Sequence, residues 1–227
     1  MFQEQYSSKN LDHLGIVSVI CDKIGLVETI DKIIPPHPGA LLSIGECVKL
    51  MVLNGLGFTS KPLYLEAEFF KNRPIDRLLG RTVEAKDISD DRLGRCLDRC
   101  YEANCNQIFA TVSTKAVDRF GVDKRFRHLD STSMTVHGGY DSKEGIGLIE
   151  YGHSKDHRPD LKQFMLSLIC SQDGDVPLLA ETIAGNTSDK THFEKVLSCM
   201  KDQIKESDAA SYYVADSAMY TAKTIEN

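Results

Sequence analysis

The spacing of apolar residues changes once along this chain, near Gly121, and that change limits the folds open to it. Upstream, between Leu11 and Ile34, the residues Leu14, Ile16, Val17, Ile20, Ile24, Val27 and Ile30 recur mostly at intervals of three or four, the repeat of an amphipathic helix. Gly25 divides this stretch into two helices. Pro35-Pro36-His37-Pro38-Gly39 ends it, because prolines lack the amide donor and hold the backbone outside the helical register. Ser43 with Glu46 three residues on forms a capping-box signature for a helix through about Leu53, stopped by Asn54-Gly55. Further short helices are predicted over 62–70 and 75–79. Ser89, followed by Asp90 and Asp91, caps a longer helical stretch that carries Leu93, Leu97, Tyr101, Ile108 and Phe109 toward Val117. Residues 1–120 thus read as one all-helical domain.

Downstream the pattern is that of strands. A short strand is predicted over 125–132, and Phe164-Met165-Leu166-Ser167-Leu168-Ile169-Cys170 is an apolar run of the kind buried on both faces of a sheet. Gln172-Asp173-Gly174-Asp175 supplies turn chemistry, so a strand over 177–184 pairs back as a hairpin. Asn186-Thr187-Ser188-Asp189 opens a helix over about 190–205, with Phe193, Val196 and Leu197 inward. Ser211-Tyr212-Tyr213-Val214-Ala215-Asp216 is a last strand ending in a carboxylate. Residues 121–227 therefore form a second, α/β domain in the order strand, hairpin, helix, strand.

Composition narrows the function classes. With 227 residues, 41% apolar and 26% charged, the chain has the make-up of a folded globular protein, and its length suits two domains of ordinary size. The longest apolar stretch, 44–58, is interrupted by Glu46, Lys49 and Asn54, so no membrane helix is expected. The start, Met1-Phe2-Gln3-Glu4-Gln5, has no basic and apolar secretory pattern, which points to the cytoplasm. Seven cysteines without the spacing of a small secreted domain read as free thiols; Cys96, Cys100 and Cys105 fit a helix face as small buried hydrophobes rather than a metal cluster. A net charge of −6 is unlike that of a domain that coats nucleic acid by bulk charge. Acidity concentrated late in the chain would include carboxylates that bind metal before phosphate.

Two aspartates stand at strand ends: Asp130 in His128-Leu129-Asp130-Ser131-Thr132, and Asp216 in Val214-Ala215-Asp216-Ser217. Each alone could cap a following turn. Together, in this order of elements, they would repel unless a cation or proton lay between them, and hard oxygen donors suit Mg²⁺ or Mn²⁺. The polar segment 151–163, just before the apolar run, is either a solvated surface loop or a binding loop. In the second case Lys155, Arg158 and Lys162 contact phosphates while Asp156 and Asp160 hold the loop in shape by pairing with them.

These segments, with Leu11-Asp12-His13-Leu14-Gly15-Ile16-Val17, Leu53-Asn54-Gly55-Leu56-Gly57-Phe58, Pro62-Leu63-Tyr64, Asp90-Asp91-Arg92-Leu93-Gly94-Arg95 and Gly185-Asn186-Thr187-Ser188-Asp189, resemble the bacterial and archaeal insertion-sequence DDE transposases of the group with a Tyr-Arg-Glu-Lys signature. The resemblance implies an RNase H-like catalytic fold in which Asp130 and Asp216 are the first two members of a metal-binding triad. It implies two Mg²⁺ ions, DNA strand cleavage and strand transfer, and a helical N-terminal domain that recognises terminal inverted repeats. Partners implied are DNA and a second transposase copy. The final glutamate of the triad has no match before Asn227, so the resemblance implies a C-terminally truncated, partial RNase H-like domain, inactive by itself. The alternative is a DNA-binding remnant that represses transposition.

Overall fold

A computed structural model describes residues 8–140, 147–154, 157–188 and 212–215. The chain divides into two compact units, Met1–Arg119 and Phe120–Asn227.

The first unit is helical. Helices α1 (Leu14–Lys23) and α2 (Leu26–Ile33) are separated at Gly25, whose φ of +64° is the left-handed conformation that only glycine adopts without strain. Helix α3 (Ile44–Gly55) starts in the expected capping box: the Glu46 amide donates to Ser43 Oγ at 3.1 Å, and the Ser43 amide donates to Glu46 Oε2 at 2.8 Å. Arg81 reaches back to the same carboxylate at 2.5 and 2.6 Å, so one glutamate fixes a helix start and a distant loop. A 3-10 turn at Leu63–Leu65 leads into α4 (Glu66–Phe70), followed by α5 (Ile75–Leu79), α6 (Asp90–Glu102) and α7 (Cys105–Phe120).

The predicted continuous helical stretch from Ser89 toward Val117 is in fact two helices. Asn104 breaks it: its φ is +71°, and its Oδ1 accepts from the amides of Asn106 at 3.1 Å and Gln107 at 3.3 Å, starting α7 afresh. An asparagine that tolerates positive φ carries a weaker sequence signal than Gly or Pro, which is why the break was missed.

The core gathers Leu14, Ile30, Leu50, Leu53, Phe70, Leu78 and Leu93, each at most 1% exposed. Burial of side chains of this size contributes roughly 1.5–3 kcal/mol apiece before ordering entropy is charged against it. Cys47, Cys96 and Cys100 lie in the same core as small hydrophobes, whereas Cys105 is exposed at the head of α7 and belongs to no buried face. Lys49 is also buried, and its ammonium meets Asp22 Oδ1 at 2.6 Å; the aspartate is mostly exposed and carries the pair to solvent.

The second unit is a mixed four-stranded sheet in the order β3-β2-β1-β4: β1 (Phe126–Val136), β2 (Lys162–Ser171), β3 (Pro177–Ala184) and β4 (Tyr212–Ala215). Strand β1 pairs antiparallel with β2 and parallel with β4, and β2 pairs antiparallel with β3. With the helical unit before it, this is an α+β protein. Two expectations need correction. β1 runs four residues past its predicted end at Thr132, because its buried positions include Ser131 and Ser133 and so lack an apolar signature. β2 is not buried on both faces: Gln163, Met165, Ser167, Ile169 and Ser171 are buried, while the alternate residues, Phe164, Leu166, Leu168 and Cys170, are half-buried. The helix expected over 190–205 lies outside the described residues. Among the described residues no helix is long and apolar enough to cross a membrane.

Glu66 is 1% exposed and neither carboxylate oxygen has a well-formed hydrogen bond, so burial pushes its carboxyl up to about 7, against a smaller opposing pull from Asn54. Between the ordinary value of 4.5 and about 7 the folded protein then holds more protons than the unfolded chain. Stability therefore falls as pH rises through that window and levels off above it. Glu66→Gln is expected to flatten this slope and to raise stability at pH 8, as measured by urea unfolding followed at 222 nm.

Candidate functional site

Alternation along β1 decides what Asp130 can do. Leu129 and Ser131 point into the buried side of the sheet, so Asp130 between them is exposed on the other face. Its Oδ1 accepts from the Ser131 amide at 2.7 Å, which fixes the carboxylate and leaves Oδ2 without a partner among the described residues. Across β2 it stands opposite Leu168. On the other flank Leu129, one residue earlier, pairs with Ala215, the last described residue of β4. Asp216 is the next residue in the sequence and lies outside the described residues. An exposed, oriented carboxylate with a free oxygen fits a hard divalent cation. Among the described residues no group of three His, Cys, Asp or Glu is placed to hold a metal ion.

The polar loop is closed at its base. Glu150 and Gln163 exchange backbone hydrogen bonds of 3.0 and 2.9 Å, and the Gly185 amide donates to the Leu148 carbonyl at 2.9 Å. The Gln163 side chain, 1% exposed, donates from Nε2 to the Gly185 carbonyl at 2.8 Å and the His153 carbonyl at 3.3 Å. Backbones pass so closely here that a Cβ on Gly152 would lie 1.9 Å from Gly185 O, and one on Gly185 would lie 2.1 Å from Gln163 O. Gln163 and these two glycines were not singled out by sequence reasoning as a unit. The available signal was the pair of glycines flanking these segments, Gly152 ten residues before β2 and Gly185 directly after β3.

Within the loop, Arg158 and Asp160 form a two-pronged pair at 2.9 and 2.7 Å, and the guanidinium holds the Asp160 carboxyl down to about 2. The Arg158 amide donates to Ser154 Oγ at 3.2 Å. Lys162 donates to the Tyr140 carbonyl at 2.9 Å and sits 5.7 Å above the Tyr151 ring. Lys155 and Asp156 lie outside the described residues. At the opposite end of β1, Arg127 donates to Tyr213 Oη at 2.6 Å, and Phe126 stacks on Tyr212. Sequence reading could not find either pair, since both depend on the register between β1 and β4.

A helical unit followed by a mixed sheet, with an exposed carboxylate on an interior strand and a tied-down polar loop entering the neighbouring strand six residue pairs further along, defines a two-unit α+β protein with a candidate cation and anion surface. Residues 6–114, nearly all of the helical unit, match the family model described as a domain of unknown function, DUF4277. No curated protein and no solved structure matches the chain.

Gly185→Ala is expected to destabilise the sheet unit by about 1–3 kcal/mol, because the new methyl meets backbone rather than a movable side chain. Gly139→Ala, with open space around it, should leave the same denaturation midpoint unchanged.

Proposed function

We propose that this chain is a DNA-processing protein of the insertion-sequence DDE transposase type, with the sheet unit as an RNase H-like phosphoryl-transfer core. The observation that carries the reading is the sheet itself: three antiparallel strands in chain order, then a fourth strand parallel to the first on its free side. Asp130 lies on the first of these strands, and Asp216 directly follows Ala215, whose partner is Leu129. Carboxylates following neighbouring positions of two parallel strands are suited to sharing a cation, and the Leu129–Ala215 pair supports that reading. Residue resemblance in 128–132, 151–163, 185–189 and 214–217 supports the same assignment.

In this reading Asp130 and Asp216 hold Mg²⁺ or Mn²⁺, which when bound activates the attacking oxygen and stabilises the leaving oxygen of a phosphodiester. The Ser131 amide orients Asp130 before the cation arrives, so the carboxylate need not reorganise on binding. Lys155, Arg158 and Lys162 are the DNA-backbone contacts. Of these, Arg158 meets phosphate only by sharing or exchanging its Asp160 partner, which favours an anion able to accept two parallel hydrogen bonds. The helical unit recognises terminal inverted repeats, and a second transposase copy is the expected protein partner. No base-reading residue is assigned.

Loading the chain with Fe²⁺ and peroxide tests the metal assignment without requiring turnover. Backbone cuts are expected near residues 130 and 216, suppressed by excess Mg²⁺ and lost in Asp130→Asn and Asp216→Asn. Cuts elsewhere, or cuts that persist in both variants, would sink the proposal. A gel shift on terminal-repeat DNA against scrambled duplex tests the recognition role separately.

A further inference from the structure

The start of β1 carries a feature that the metal site does not use. Phe126 and Tyr212 are register partners on β1 and β4, and their rings stack at a centroid distance of 4.8 Å and an interplanar angle of 15°. Both remain open, at 39% and 53% exposure, so the stack has not been spent on a core. Phe126 also lines a groove of about 630 Å³ on its β2 side, together with Asp123, Arg125, Gln172 and Asp173. That volume is within the range of small-molecule and cofactor sites.

Charge and hydrogen-bonding capacity decide what fits there. The lining cation, Arg125, is already committed: its Nε donates to Asp123 Oδ2 at 2.8 Å, and its amide donates to Asp123 Oδ1 at 2.9 Å. Asp173 adds a second carboxylate, whose Oδ2 accepts from the Asp123 amide at 3.0 Å and whose Oδ1 has no partner among the described residues. A groove with two carboxylates and one neutralised arginine repels phosphate. It accepts a flat ring that offers N–H donors at its edge. Phe126 supplies the stacking surface, and the Asp173 carboxylate with the Gln172 side-chain carbonyl oxygen supplies acceptors.

The geometry points to a binding site for an unpaired nucleobase carrying an exocyclic amino group, stacked on the Phe126–Tyr212 pair. This rests on reading the sheet unit as DNA-processing. Phe126 lies on the same face of β1 as Asp130 and four residues before it, about 13 Å along the strand. A strand whose phosphate sits at Asp130 would bring a base to Phe126 about four nucleotides away at stacked spacing. The site therefore selects a single-stranded or frayed flank beside the reacting phosphate, because a base locked in a duplex cannot present its ring face and its amino edge together.

The test uses the unmodified chain with single-stranded DNA bearing one 2-aminopurine, with the same strand carrying an abasic position there, and with a blunt duplex, all without divalent metal. Quenching of 2-aminopurine on binding is expected, with about tenfold weaker affinity for the abasic strand, in line with the loss of one base–aromatic stack. Phe126→Leu and Tyr212→Leu should weaken single-strand binding by a similar factor and leave duplex affinity unchanged, with the far-UV spectrum as a check on folding. Asp173→Asn should narrow the preference for amino-bearing bases over thymine. Unquenched 2-aminopurine in a formed complex, or equal affinity for the intact and abasic strands, overturns this site while leaving the DNA-processing reading standing. Absence of binding to every DNA tested overturns both. Displacement of the strand by equimolar free deoxynucleotide overturns the strand assignment in favour of a mononucleotide pocket.

Discussion

Strand β1 has partners on both edges, antiparallel β2 on one side and parallel β4 on the other, and that position sets which face Asp130 and Phe126 occupy. An antiparallel neighbour can be reached through a short connection, but a parallel one needs the chain to travel the length of the sheet and return. The sequence between β3 and β4 is long enough for that crossing. Once β4 is in register, the side chains of β1 are fixed face by face. Leu129 turns inward beside Ala215 and Asp130 turns outward, and Phe126 meets Tyr212. A slip of one residue would bury the carboxylate and expose Leu129, an exchange that costs both desolvation and lost apolar burial.

Local chemistry was legible in the sequence wherever a single residue type has one structural use. Gly25 separates two helices because its φ is positive, and Ser43 with Glu46 forms the capping box that their spacing announced. Asn104 escaped notice because asparagine is ordinary inside helices as well as at their starts. The extent of β1 was hidden by serines on its buried side, and the one-sided burial of β2 by the leucines and phenylalanine on its other face. Of the candidate site, Asp130 and the Arg158–Asp160 pair were visible as residues, and the hydrogen bonds that orient them were not. Phe126 and Tyr212 are far apart in the chain, and nothing in either neighbourhood announces the other.

Polar groups inside the helical unit are handled in contrasting ways. Lys49 is neutralised by Asp22 at the cost of tying α3 to the end of α1, and Glu46 is shared between a helix cap and Arg81. Glu66 has no such arrangement. Burial that disfavours the ionised carboxylate makes Glu66 a pH-sensitive weak point of the helical unit.

The crossing of Gly152, Gln163 and Gly185 has a bearing on how fast and how tightly the basic loop could engage an anion. Because the base of the loop is pinned to the sheet, the entropy of closing it has been surrendered during folding and is not demanded again at encounter. In the reading proposed above, anion capture would leave the side chains of Arg158 and Lys162 to rearrange and the base of the loop unchanged. Loosening the crossing would return that entropy to be lost at each encounter, with Arg158 and Lys162 themselves unchanged.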